Sequence, residues 1–278
     1  MWKNFKALFF GLLAVFFFAL TACGGGGSGG SGTCNWTQRP SGTTNILYGV
    51  AFGNNTFVAV GMDASLNGAV ITSSNNGVSW GPVNPGSQML FAVVYGNNMF
   101  VAVGMSGTIL TSSNGTNWTP QTSGTFNDLY GITYGNNTFV AVGKSGTILT
   151  SSNGSSWATQ TSGTTAKLSG VAFGNNTFVA VGDNGTVRIS TNNGLTWNPP
   201  SNPPSTNQNL YGVTYANGVF IAVGHNGTIF RSINNGLSWT QDTSPTTDAL
   251  ISVLQGNNTF VIVGGSSPFA PATVLTCP

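Results

Sequence analysis

Between Leu47 and Trp80 short apolar runs alternate with clusters of Gly, Asn and Ser, a pattern that predicts strands joined by tight turns. Leu47 to Phe52 and Phe57 to Val60 are the first two strands, separated by Gly53-Asn54-Asn55-Thr56. A later copy has Ala216-Asn217-Gly218-Val219 in the same columns, and Asn-Gly is a strong hairpin signal because both residues tolerate positive φ. A third strand, Ala69 to Thr72, meets a second reversal over Ser73 to Trp80, and a fourth strand starts at the tryptophan. One unit is thus an antiparallel four-stranded meander.

The unit starts again at Leu90, Leu129, Leu168, Leu210 and Leu250, a spacing of roughly 40 residues that fits propeller blades rather than solenoid rungs. Trp80, Trp118, Trp157, Trp197 and Trp239 close the first five units, while the sixth reaches Pro278 without its tryptophan. Trp36, ahead of the first unit, supplies the missing one: Thr37-Gln38 and Ser41-Gly42-Thr43 follow it much as Thr119-Pro120-Gln121 and Ser123-Gly124-Thr125 follow Trp118. The expected fold is all-β, a six-bladed β-propeller of four-stranded antiparallel blades whose last blade is closed by the N-terminal strand. Closure of the ring removes exposed sheet edges. Aligning Thr273 to Cys277 with Thr108 to Ser112, and Cys34-Asn35-Trp36 with Thr116-Asn117-Trp118, puts two cysteines on opposite sides of one tight turn. A Cys34–Cys277 disulfide is therefore expected, and in the chain-entropy model a loop this long stabilises the ring by about 5 kcal/mol.

Ser190 to Trp197, Ser232 to Trp239 and Ser73 to Trp80 resemble the Asp-box, or BNR, motif S-x-D-x-G-x-[ST]-W, with asparagine in the aspartate column at Asn75, Asn192 and Asn234. The copies at Ser112 to Trp118 and Ser151 to Trp157 are one residue shorter. Such repeats occur in sialidase-like propellers and in propellers similar to the photosystem II assembly factor. The resemblance implies that the motif is a structural turn, with side-chain oxygens capping backbone amides, so its residues are not assigned to a site.

The 278 residues include 40 glycines and only 4% charged residues, yet the regular apolar strands argue against disorder. Lys3 and Lys6, an apolar run from Ala7 to Leu20, and Leu20-Thr21-Ala22-Cys23 resemble a lipoprotein leader with its lipobox. The expected organisation is a signal peptide over 1–22, a lipid-bearing Cys23 with a Gly/Ser tether over 23–33, and the propeller over 34–278. The tether reaches on the order of 15 to 18 Å. The expected address is the bacterial cell envelope, and the outer membrane where there are two, since Gly24 rather than aspartate follows the cysteine. Without the leader, Arg39, Lys144, Lys167, Arg188 and Arg231 balance Asp63, Asp128, Asp183, Asp242 and Asp248, leaving no basic field for nucleic acid.

In a four-stranded blade the Asn-Asn turns and the Asp-box turns share one face of the disc, and the blade linkers and Gly-x-x-Gly loops share the other. Sorted this way, Arg39, Asp128, Lys167, Asp242 and Asp248 fall on linkers and Asp63, Lys144, Asp183 and His225 on Gly-x-x-Gly loops. The first variable position of those loops runs through Met62, Met105, Lys144, Asp183, His225 and Gly265, a variation that fits individual contacts on a shared frame and equally fits drift in exposed loops. The longer loops at Gly61 to Gly68 and Gly264 to Ala272 are expected to be neighbours in the ring. The candidate binding residues are accordingly Met62, Asp63, Met105, Lys144, Asp183, His225, Asp128, Lys167 and Asp242. No catalytic residue, cofactor or metal is expected: His225 is the one histidine, and no Asp-rich loop fits calcium.

The function expected from these residues is a monomeric, lipid-anchored binding or assembly module that recognises an envelope or secreted protein, or a glycan. A sialidase-like glycoside hydrolase is the first alternative. The chain has no glutamate, and Arg188 and Arg231 occupy offset positions in matching strands, so an arginine cluster does not form. A hydrolase using Asp63 with Asp183 stays open, as does a passive surface-coat protein.

Overall fold

The computed structural model describes residues 39–256, 259–265 and 272–277. Its strands form six consecutive antiparallel sheets. Blade 1 comprises β1 (Ile46–Gly53), β2 (Thr56–Met62), β3 (Gly68–Ser73) and β4 (Gly81–Val83). Blade 2 comprises β5 (Leu90–Gly96), β6 (Met99–Gly104), β7 (Ile109–Ser112) and β8 (Thr119–Gln121). Blade 3 comprises β9 (Leu129–Gly135), β10 (Thr138–Gly143), β11 (Ile148–Ser151) and β12 (Ala158–Gln160). Blade 4 has β13 (Leu168–Gly174), β14 (Thr177–Gly182) and β15 (Val187–Ser190). Blade 5 has β16 (Leu210–Ala216), β17 (Val219–Gly224), β18 (Ile229–Ser232) and β19 (Thr240–Asp242). Blade 6 has β20 (Ala249–Gly256), β21 (Thr259–Gly265) and β22 (Thr273–Cys277). The chain is a six-bladed β-propeller built on the four-stranded meander.

Two blades depart from the four-strand plan among the described residues. In blade 4 the outer strand shrinks to a single bridge between Ile189 and Asn198. Pro199 and Pro200 follow at once and have no N–H for a ladder. The segment then crosses to blade 5, where the Asn202 amide donates to the Leu237 carbonyl at 3.0 Å. In blade 6 the expected outer strand, with Trp36 and Cys34, lies outside the described residues. The closure expected from it and the Cys34–Cys277 bridge therefore have only one described partner, β22.

The turns follow from the residues in them. Asn136 and Asn137 have φ of 45° and 56°, and Asn217-Gly218 has 52° and 81°, so the inner hairpins of blades 1 to 5 each use a pair of left-handed residues. In the Asp-box turn Ser190 Oγ accepts from the Gly194 amide at 2.9 Å, Asn192 Oδ1 accepts from the Thr196 amide at 3.0 Å, and Trp197 Nε1 donates to the Gly194 carbonyl at 2.8 Å. Asparagine does the capping an aspartate would, and the motif is consumed by its own turn.

The core lies between blades. Middle strands are buried on both faces, so β6 sends Phe100 and Ala102 toward blade 1 residues Val58, Val60 and Val70, while Val101 and Val103 pack with Leu129 and Phe139 of blade 3. The same arrangement recurs through Val140, Val142 and Phe178, then Val179, Val181 and Phe220, then Ile221, Val223 and Leu250. Each fully buried Val, Leu or Phe contributes about 1.5–3 kcal/mol. This sets inner strands β1, β5, β9, β13, β16 and β20 successively side by side. Between β20 and β1 there is no comparable packing among the described residues.

Candidate functional site

Every inner strand begins with a β-bulge. Leu129 pairs with Gly143 and Gly131 with Val142, which leaves Tyr130 as an extra residue. The same slip isolates Tyr48, Phe91, Ser169, Tyr211 and Ile251. A bulge ends regular pairing and re-aims a side chain. Here it frees one residue per blade at the start of the inner strand, and in blades 1 to 3 these residues meet across the blades. Tyr48 and Phe91 have ring centroids 6.0 Å apart, and Phe91 and Tyr130 5.3 Å apart, so three consecutive blades present a continuous aromatic arc.

Charge gathers on the next sector. Lys167 Nζ lies 5.5 Å above the Tyr130 ring and 3.4 Å from Asp183 Oδ1. Tyr130 donates its hydroxyl to Asp128 Oδ2 at 3.3 Å, and Asp128 Oδ1 accepts the Ser106 amide of the preceding blade at 2.8 Å. Burial, and then the neighbouring Asp128 carboxylate, push the Tyr130 phenol up to about 12. Tyr48 is raised by burial, and Tyr211 by burial and the charge of Asp183. Two oxygens in this sector, Ser169 Oγ and Asp183 Oδ1, are buried without a hydrogen bond among the described residues. The Asp183 oxygen has its ion pair with Lys167 but not the alignment of a hydrogen bond.

The loops complete a rim around the arc. Three of them are single turns of 3-10 type, Met105–Gly107, Lys144–Gly146 and Asp183–Gly185, with Ser106, Ser145 and Asn184 left-handed at φ of 54° to 55°. The first residue of each is tied to the residue before its blade's first leucine: the Met105 amide to the Met89 carbonyl, Lys144 to Asp128, Asp183 to Lys167 and His225 to Asn209. These ties set the paired positions of one blade side by side along the backbone. The pairs are Ile46 with Met62 and Met89 with Met105 in blades 1 and 2, Asp128 with Lys144 and Lys167 with Asp183 in blades 3 and 4, and Asn209 with His225 in blade 5. The mouth is therefore sectored, apolar and aromatic on one side and charged on the other.

Of the residues expected to bind, Asp128, Lys167 and Asp183 converge on one network, and Met62 joins the arc through a 3.4 Å contact from the Tyr48 hydroxyl to its sulfur. Met62 ends strand β2 rather than standing in the loop. Met105 and exposed Lys144 stand on the rim. His225 Nδ1 is 2.8 Å from Gln208 Oε1. Asp63 instead braces its own loop, accepting the Ser65 and Asn67 amides at 2.8 and 2.9 Å, and the Asn67 hydrogen bonds hold its carboxyl below the usual range. Asp242 ends outer strand β19, not a linker, and pairs with Arg231 at 3.2 Å, away from the axis. Cys23 and Cys34 lie outside the described residues, and Cys277 is the exposed last residue of β22. The bulged residues were missed from sequence. Their signal is an aromatic residue between leucine and glycine, as in Leu129-Tyr130-Gly131, where glycine follows because it backs onto the next inner strand, near Ser169 and Gly170.

The arginines do not converge. Arg188 pairs across the ladder with Ala180 and Arg231 with Ile221, opposite faces by register. Arg188 donates to the Ser162 and Gly163 carbonyls at 2.8 and 2.9 Å, a brace between blades. Among the described residues no three His, Cys, Asp or Glu side chains gather at one point.

The DUF6242 β-propeller domain model matches residues 85–210. No curated protein matches the chain. Among solved structures, YCF48 from Cyanidioschyzon merolae is 16% identical with a TM-score of 0.64, covering 87% of this chain and 84% of its own. YCF48 bound to a D1 peptide is 17% identical with a TM-score of 0.63, covering 84% of this chain and 76% of its own. The WD40 β-propeller domain of Doa1 is 13% identical with a TM-score of 0.56, covering 80% of this chain and 76% of its own. By its repeat and its fold the chain is a β-propeller, similar in fold to YCF48 and to the WD40 domain of Doa1.

Proposed function

We propose that this protein is a binding or assembly module that recognises a protein partner at the axial mouth of the propeller. The observation that carries the reading is the sectored ring itself. An aromatic arc at Tyr48, Phe91 and Tyr130 adjoins a charged sector in which Lys167 pairs with Asp183 and Tyr130 with Asp128. A polypeptide offers the matching pair, an apolar side chain for the arc and polar or charged groups for the sector beside it. A structural neighbour bound to a D1 peptide supports the same kind of ligand. A glycan is the second reading, favoured by the aromatic arc as a stacking surface, and a glycoside hydrolase the third. The offset of Arg188 and Arg231 weighs against the latter.

The proposal includes the setting read from the sequence. The leader and Leu20-Thr21-Ala22-Cys23 support a propeller held at the cell envelope by a lipid attached to Cys23. A Cys34–Cys277 bridge is supported by register. Phe260 pairs with Cys277 as Phe57, Phe100, Phe139, Phe178 and Phe220 pair with Ser73, Ser112, Ser151, Ser190 and Ser232, so the cysteine stands in the column of the buried Asp-box serine.

Amine-reactive crosslinking in cells, read by mass spectrometry, tests the mouth. Lys144 and Lys167 are expected to give discrete products with one protein, lost in Phe91→Ala and retained in the remote variant Asp242→Asn. Scattered products, or products indifferent to Phe91, contradict the reading, and turnover of a glycoside panel replaces it with the enzyme.

A further inference from the structure

The turns on the face opposite the mouth carry no charge. Inner hairpin turns and Asp-box turns meet there, as where Asn136 Nδ2 donates to Asn193 Oδ1 of the next blade. None of the Asp-box turns, from Ser73 to Trp80 in blade 1 to Ser232 to Trp239 in blade 5, contains Asp, Glu, Lys or Arg. The residue after the turn glycine holds the same place in each repeat and runs Val78, Thr116, Ser155, Leu195, Leu237. Val78, Leu195 and Leu237 are 50%, 60% and 48% exposed, and Ile233, in the same turn as Leu237, is 74% exposed. Blades 4, 5 and 1 thus raise apolar tips at matching positions, whereas blades 2 and 3 have hydroxyls there. A single exposed apolar residue is ordinary, but a set sharing one motif position on an uncharged face marks a contact surface.

These turns can leave water without opening their own hydrogen bonds. The Val78, Leu195 and Leu237 amides donate to the Asn75, Asn192 and Asn234 carbonyls at 3.2 to 3.3 Å. The Oδ1 atoms of the same asparagines accept the Ser79, Thr196 and Ser238 amides at 2.9 to 3.0 Å. Polar groups already paired inside a turn add little cost in an apolar layer.

The chain enters the fold on this face. A methyl group built on Gly42 would stand 3.2 Å from the Trp80 carbonyl, at the end of the Asp-box turn of blade 1. The chain from Cys23 to Arg39 spans at most about 55 Å and, as a flexible coil, on the order of 20 to 24 Å. A lipid on Cys23 therefore brings the bilayer to the Asp-box face first, and the mouth lies an inner strand, about 23 Å, beyond it.

We infer that the Asp-box face of blades 4, 5 and 1 rests on the lipid bilayer that holds the anchor. Leu195, Ile233, Leu237 and Val78 seat at the acyl boundary, and the mouth is turned outward. The inference takes the Cys23 lipid from the setting proposed above and is independent of what the mouth binds.

The mature lipidated chain in phosphatidylcholine vesicles tests the contact. A fluorescent residue is placed in turn at Leu237, at Thr116 and at Phe126, an exposed linker residue on the mouth side. Bromine on the acyl chains quenches at contact, and an interfacial apolar residue sits roughly 5–10 Å deep, so Leu237 is expected to lose about half or more of its emission. Emission at Thr116 and Phe126 is expected to stay nearly unchanged. Leu195→Ser with Ile233→Ser should restore emission at Leu237 while the anchor remains. Equal quenching at all three positions overturns the contact. So does no quenching at Leu237 in a chain whose Cys23 peptide has the mass of the lipidated form, a result that leaves the anchor standing. A Cys23 peptide without lipid overturns both. A protein adduct at Leu237 in cells, without quenching by brominated lipid, gives the face to a protein and overturns the inference as well.

Discussion

Single side chains set the chemistry of the mouth. Tyr130 is freed by a bulge, shielded by neighbours and faced by the Asp128 carboxylate, so its neutral form is the one the fold favours. The sign of the pH effect follows. A phenol that ionises near 10 unfolded and near 12 folded leaves stability untouched below pH 10 and removes it as pH rises toward 12. Tyr130→Phe is therefore expected to flatten the alkaline limb of a Tm-against-pH curve, and Asp128→Asn to lower the phenol's titration midpoint in ultraviolet absorbance. An unchanged alkaline limb in Tyr130→Phe contradicts the burial. At the opposite face, Ser190→Ala leaves the buried Gly194 amide without its acceptor, and chemical denaturation should show a loss of about 1–3 kcal/mol.

Elements explain what sequence made legible. Strand existence, turn chemistry and the six-fold repeat were readable because the strands are short apolar runs and each hairpin carries residues that accept positive φ. Asn137, at φ 56°, makes a quantitative case: Asn137→Val should cost about 1–2 kcal/mol and Asn137→Gly little or nothing, by denaturant titration. The outer strand of blade 4 was legible in principle from Pro199-Pro200, whose missing amides end the ladder at Asn198. Asp242 was misplaced onto a linker because three-residue outer strands such as Thr240–Asp242 leave almost no alternation to read. The bulges were not read because a register slip leaves no mark on a continuous apolar run. The extra residue after Leu47, Leu90 or Leu129 looks like one more position of a regular strand, although it alone stands outside the pairing.

At the scale of the whole molecule the repeated blade is a frame and the differences between copies are its content. Ring order converts residues about 40 positions apart into neighbours. Met62, Phe91, Asp128, Lys167 and Asp183, scattered through the chain, thus become one rim around one arc. The face carrying the charges was readable from topology, since linkers and Gly-x-x-Gly loops must share a side. Which charges meet was not readable, because Lys167 with Asp183 and Tyr130 depends on the bulge geometry. The same frame makes the opposite face a control. Its Asn-Asn and Asp-box turns satisfy themselves, as where Asn175 Nδ2 donates to Asn235 Oδ1 of the next blade at 2.8 Å. A photo-crosslinking residue placed in turn at Phe91, at Tyr211 and at Asn55 compares the two faces in the living cell. Recognition at the mouth predicts one discrete protein adduct from Phe91 and Tyr211 and none from Asn55; equal labelling at all three, or an adduct from Asn55 alone, would contradict it.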